Sequence, residues 1–184
     1  MQFAVVPYNL LHNMLDPKVI LTLITSLFFH AGFAHISGNM LYLWVFGNNI
    51  EDRLGHIKFI LFYLGCGIIA SLGQVIVNPD SKLPMLGASG AVSAVLGAYL
   101  ILYPRANVLV LIPLFYFWRI VKVQAGWFLL FWILLQFFSA TASSLLTETV
   151  EQGGVAWIAH ITGFFAGILF LKLLLPTRRR IILG

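Results

Sequence analysis

The chain has 184 residues, 60% of them hydrophobic and only 9% charged, with a formal net charge of +5. Soluble domains carry about 25% charged residues, so a mean hydropathy of +0.96 excludes an ordinary soluble domain and makes lipid the solvent for most of the chain. Eleven scattered Lys and Arg residues are too few to line a nucleic-acid groove, and the single cysteine, Cys66, excludes an internal disulfide.

Length allows about five or six spans of ~20 residues and no second folded domain. The prediction is therefore all-α: a polytopic membrane helix bundle of about five transmembrane helices plus an interfacial hairpin. Residues 1–33 form an interfacial and loop segment, 34–175 the helical core, and 176–184 a basic cytoplasmic tail.

The start, "MQFAVVPYNLLHNML", lacks the basic n-region of a cleavable signal. Residues 18–34, "KVILTLITSLFFHAGFA", are apolar enough for a span. Yet 18–49 is too long for one straight helix, and His30 and Gly32 divide it. An interfacial hairpin leading into a span over 34–49 is expected, with an extra half-span as the alternative. "EDRLGHIK" at 51–58 reads as a charged turn. A second span covers 58–77, and "NPDSKLP" at 78–84 is a loop by its Asn-Pro and second Pro. The third span, 89–103, begins at Ser89 and closes at "YPRAN". Residues 104–123 are bracketed by Pro104, Pro113, Arg119 and Lys122 and read as a loop dipping into the interface, or a short re-entrant piece. The fourth span, 125–138, is short and rich in Trp and Phe. "SATASSLLTETVEQGG" reads as a polar loop. The last span, 155–175, is interrupted only by His160, Thr162 and Lys172.

Basic residues set the orientation. With the C-terminus cytoplasmic, Arg53, Lys58, Arg105, Arg119, Lys122, Lys172 and Arg178 to Arg180 fall inside, and only Lys18 and Lys82 fall outside. Polar side chains within spans are costly unless paired or used. Four stand out: His35, Asn39, Ser89 and His160. Alternating spans put all four in the outer half of the membrane. His35 and Asn39, at i and i+4, share a helix face. Ser89 opens a helix, where free N–H groups and the dipole favour an anion. A serine needs a base, which a histidine from another helix can supply, while His35 and Asn39 can donate to an oxyanion. Gly90 and Gly97 on the third span, and His160, Gly163 and Gly167 on the last, form small faces that allow close helix approach. Plainer roles stand beside these: Ser89 as a helix cap, His160 as a satisfied buried histidine, His35 and Asn39 as a hydrogen-bonded bridge. A metal site from His30, His35 and His160 lacks a carboxylate or His-x-x-Glu-His spacing.

"HISGNM", "GASG" and "AHITGFFAG", in this order and each on an apolar span, resemble the rhomboid family of intramembrane serine proteases. "LYLWVFGNNIEDRLGHIKFILFYL" and "GAYLILYPRANVLVLIPLFYF" resemble members of the bacterial type. The resemblance covers roughly residues 22 to 175. It implies a Ser-His dyad of Ser89 and His160, with His35, Asn39 and the Ser89 backbone N–H as oxyanion hole. Gly87 would shape the turn presenting Ser89, and Gly90, Gly97, Gly163 and Gly167 would serve packing. It implies no cofactor and no metal, the bilayer and transmembrane proteins as partners, and cleavage near the outer membrane face of a bacterial inner membrane. Trp127, Phe128, Phe131 and Trp132 match the helix proposed as a lateral gate. The family usually carries one more helix upstream, for which "FAVVPYNLLHNML" is too short and polar. Some members stack an aromatic on the histidine one turn after the serine. Ser93 stands there, leaving open what steadies His160. The alternative is a non-catalytic binder of transmembrane helices on the same fold. A small transporter would show inverted repeats, and the sequence has no internal repeat.

Overall fold

The computed structural model describes residues 2–114, 117–146 and 156–175. The basic tail at 176–184 and residues 147–155 of the predicted polar loop lie outside them.

Two short helices open the chain: α1 (Pro7–His12) and α2 (Pro17–Thr25). Both start on a proline, which suits a first helical turn, and Asp16 caps α2 by accepting from the Lys18 N–H at 2.9 Å. A 3₁₀ turn (Ser26–Phe28) ends this arm. α3 (Phe33–Tyr42) then runs through a π-helical stretch (Leu43–Gly47) into α4 (Asn48–Leu54), bent by 76° from the first arm. The predicted turn over 51–58 is smaller than expected. α4 continues to Leu54, Gly55 reverses the chain at φ +80°, and α5 (His56–Val77) starts at once. Glu51 remains local, accepting from His56 Nδ1 at 2.5 Å.

After the 78–88 loop comes α6 (Ser89–Leu102), buried from Gly90 to Tyr99. The interfacial loop expected at 104–123 is instead an antiparallel hairpin of β1 (Asn107–Leu114) and β2 (Phe117–Gln124), in register from Asn107↔Gln124 to Leu114↔Phe117. β-branched residues at 108, 110, 112, 120, 121 and 123 favour a pleated strand. The shared face of Val108, Val110, Val121 and Val123 is more buried than the Leu109, Leu111 and Ile120 face. α7 (Ala125–Leu146) outruns its predicted end at 138, and α8 (Trp157–Leu174) closes the described bundle. The residues at 139–146 had read as loop. Their hydroxyls are accommodated by turning back on the helix: Thr141 Oγ1 donates to the Phe137 carbonyl and Ser143 Oγ to the Ala140 carbonyl, each at 2.9 Å.

Among the described residues, α5, α7 and α8 are long and apolar enough to cross a membrane, and the bent arm from Pro17 to Leu54 makes a fourth span if counted as one. α6 is shorter and central. It packs on α8 through glycines: a Cβ at Gly97 would collide with the Phe164 carbonyl, at Gly163 with the Gly90 carbonyl, and at Gly167 with the Ala94 carbonyl. Without a hydrophobic drive between helices in lipid, such close packing is what holds spans together. Around it lie Phe46, Phe62, Cys66, Leu129 and Phe164, all buried.

Candidate active site

Non-helical backbone deep in a bundle needs partners of its own, and the loop leading to Ser89 has them. Val5 and Met85 exchange both backbone hydrogen bonds, at 3.1 and 2.7 Å. The Gly87 N–H donates to the Ser26 carbonyl at 2.9 Å, and the Ala88 N–H to His30 Nε2 at 3.4 Å. The N-terminal arm thus fixes the turn that delivers Ser89. Gly87 takes φ +125° there, a conformation side chains resist, and any Cβ on it would lie 2.7 Å from His35 Nε2.

Ser89 is the first residue of α6, and no side chain caps that helix start. Its Oγ lies 2.8 Å from Nε2 of His160, which is buried one turn into α8. The close α6–α8 approach expected from the small faces therefore does bring these two side chains together. His35 and Asn39, from α3, both reach the Gly87 turn; Asn39 Nδ2 would be 3.7 Å from a Cβ there. That nitrogen and His30 Nδ1 are the two buried side-chain atoms without a hydrogen-bond partner among the described residues. The His30 and His35 rings meet edge to face at 5.1 Å. Ser93 donates its hydroxyl to the Ser89 carbonyl at 2.6 Å.

Two glutamines complete the surroundings, and neither was singled out from sequence. Gln74 of α5 accepts from the Ala159 N–H at 3.2 Å, satisfying a first-turn donor of the helix that carries His160. Gln136 of α7 is buried, with Oε1 2.8 Å from His160 Nδ1. Trp132 and Trp157 flank the imidazole, each at 6.0 Å. The signal for both glutamines was a polar side chain inside an apolar run. Trp127 and Phe131 point outward, whereas Phe128 reaches inward to Tyr42 and Phe46. A small cavity opens beside Ser89, lined by Ser71, Met85, Gly87, Gly90 and Ala159 among others. Among the described residues, no three His, Cys, Asp or Glu side chains are grouped to hold a metal ion.

Comparison with known proteins adds a family. The model of the rhomboid domain matches residues 17–177. The mitochondrial rhomboid protein 1 of Saccharomyces cerevisiae is 32% identical over 154 residues, covering 82% of this chain and 40% of that protein. The chloroplastic rhomboid-like protein 11 of Arabidopsis thaliana is 31% identical over 157 residues, covering 82% of this chain and 51% of that protein. The rhomboid protease GluP of Bacillus subtilis is 40% identical over 78 residues, covering 42% of this chain and 15% of that protein. The chain thus spans about half or less of the length of these relatives.

Proposed function

The chain belongs to the rhomboid family of integral membrane proteins, and from that premise we propose that it is an intramembrane serine endopeptidase with Ser89 and His160 as its dyad. Its substrates are transmembrane segments of other membrane proteins, cut near the outer face. The observation that carries the reading is the 2.8 Å approach of Ser89 Oγ to His160 Nε2, within the reach a nucleophile and its base require.

In this reading Ser89 Oγ attacks a peptide carbonyl while His160 Nε2 takes its proton. The oxyanion forms against Asn39 Nδ2, His35 and the Ser89 backbone N–H, at a helix start whose dipole favours negative charge. The unpartnered state of Asn39 Nδ2 supports that role, because a buried donor without an acceptor is otherwise a cost. His160 then returns the proton to the leaving amine, and an acyl-enzyme remains. Water reaching Ser89 through the adjoining cavity attacks the acyl carbon as His160 takes its proton, and His160 returns that proton to Ser89 Oγ as the bond to the acid product breaks. The small residues lining that cavity suit a small substrate side chain.

The basic-residue distribution supports the Ser89 end outside and the C-terminus in the cytoplasm, and the likeness to the Bacillus subtilis rhomboid protease supports a bacterial inner membrane. Residues 1–33 then serve as an interfacial segment beside the 34–175 helical core, and 176–184 as a basic cytoplasmic tail. The test is cleavage of a labelled transmembrane substrate by purified chain in liposomes. Ser89→Ala and His160→Ala are each expected to abolish cutting. If either cuts as fast as an active parent, the dyad is wrong; if the parent itself does not cut, the chain is better read as a binder of transmembrane helices.

A further inference from the structure

We infer that Gln136 is a positioning residue, a neutral side chain that holds His160 in the one tautomer able to take a proton from Ser89. The inference rests on the proposed dyad and extends it to a relay of three side chains from α6, α8 and α7.

The Gln136 amide is directional. Its NH₂ donates to the Trp132 carbonyl at 3.3 Å, which turns Oε1 toward His160 Nδ1 at 2.8 Å. An amide oxygen only accepts, so Nδ1 must carry the proton. Neutral imidazole has one N–H, and Nε2 is therefore left with its lone pair. That lone pair faces Ser89 Oγ at 2.8 Å, in position to accept the hydroxyl proton. The opposite tautomer would set a lone pair against Oε1, losing that contact in a buried site, and would make Nε2 a donor to Ser89 Oγ, unable to take its proton. Trp132 and Trp157 restrict where the ring sits, but indoles offer no acceptor for Nδ1–H. Ser93 is already committed to the Ser89 carbonyl. Tautomer control thus falls to Gln136.

The choice of an amide is physically apt. An ionised carboxylate in a lipid-embedded span carries a heavy desolvation cost. A glutamine orients the ring without adding a charge. The imidazolium formed during attack keeps both its donors, one to Gln136 Oε1 and one to the serine oxygen.

The plainer role for Gln136 is interhelical glue, and two variants separate the two roles. Full chain in liposomes is assayed with a fluorogenic transmembrane substrate, and its histidine ring nitrogens are read by ¹⁵N NMR. Gln136→Met, similar in length but without the acceptor, is expected to lower kcat roughly ten- to a hundredfold at unchanged KM, part of the ~10²–10⁴ that general-base catalysis supplies. Its His160 signal should change from Nδ1–H to a mixture. Gln136→Glu keeps an acceptor oxygen and, when ionised, should keep the Nδ1–H signal, its desolvation cost appearing as lowered thermal stability. The inference is overturned if Gln136→Met has the parent's kcat, or if the parent already shows mixed tautomers. It is also overturned if Gln136→Glu, at a pH where its carboxylate is ionised, shows the same mixture of tautomers as Gln136→Met. A parent that cuts no faster than Ser89→Ala overturns the dyad instead, and the tautomer spectrum still reports on Gln136 separately.

Discussion

A buried donor without an acceptor costs about 1–3 kcal/mol, and Asn39 Nδ2 is held in that condition beside the Gly87 turn. An oxyanion on Ser89 would give it a partner only during reaction, the kind of differential interaction that accelerates a chemical step. Asn39→Ala is therefore expected to lower kcat by roughly 10²–10³, the usual effect of losing one oxyanion donor. KM and thermal stability should change little. Steady-state cleavage kinetics and thermal unfolding in detergent check both halves. Ser89, His160, His35 and Asn39 were legible in the sequence because each is a polar side chain interrupting an apolar run. Gln136 and Gln74 interrupt such runs too, in "WILLQFF" and "SLGQVIV". Their roles are not legible because their partners, His160 Nδ1 and the Ala159 N–H, come from distant parts of the chain.

Among the elements, the contact of α6 with α8 decides whether the site exists at all. Gly167 lies against the Ala94 carbonyl and Gly163 against the Gly90 carbonyl, so the helices touch backbone to backbone. Gly167→Val forces them apart and is expected to cost roughly 3 kcal/mol, at the upper end of ordinary overpacking, and to abolish cleavage by separating His160 from Ser89. Gly65→Ala, where a Cβ meets nothing within 4 Å, should lose neither stability nor activity. Thermal unfolding of the two variants side by side reads this difference. The spacing of small residues made this packing legible. The β-hairpin was not, because Pro113, Arg119 and Lys122 suggested a loop while "LFYF" at 114–117 offers no Gly or Asn to mark a turn. The strand signal lay in the Val and Ile positions on either side. The far end of α7 was hidden for a related reason: Ser and Thr look like loop residues in water, yet bond back to helix carbonyls.

At the scale of the whole molecule, depth follows from length. The 14 residues of α6 rise about 21 Å, short of the ~30 Å hydrocarbon core. With the inner end of α6 at one membrane surface, Ser89 lies some way below the other. The chain reaches that depth through the 78–88 loop, whose backbone is satisfied by Val5, Ser26 and His30. The helical arm and N-terminal segment therefore brace the site as well as flanking it, a contribution that apolar periodicity alone does not reveal. In the proposed mechanism a nucleophile at this depth must still meet water, and the cavity beside Ser89 offers space for it. The most direct test of an activated serine at this depth is labelling by a membrane-impermeant fluorophosphonate in sealed proteoliposomes, with the adduct mapped by mass spectrometry. The expected result is a single adduct on Ser89 in the parent and none in His160→Ala. An adduct on another residue, or equal labelling of Ser89 without His160, would contradict a His160-activated nucleophile.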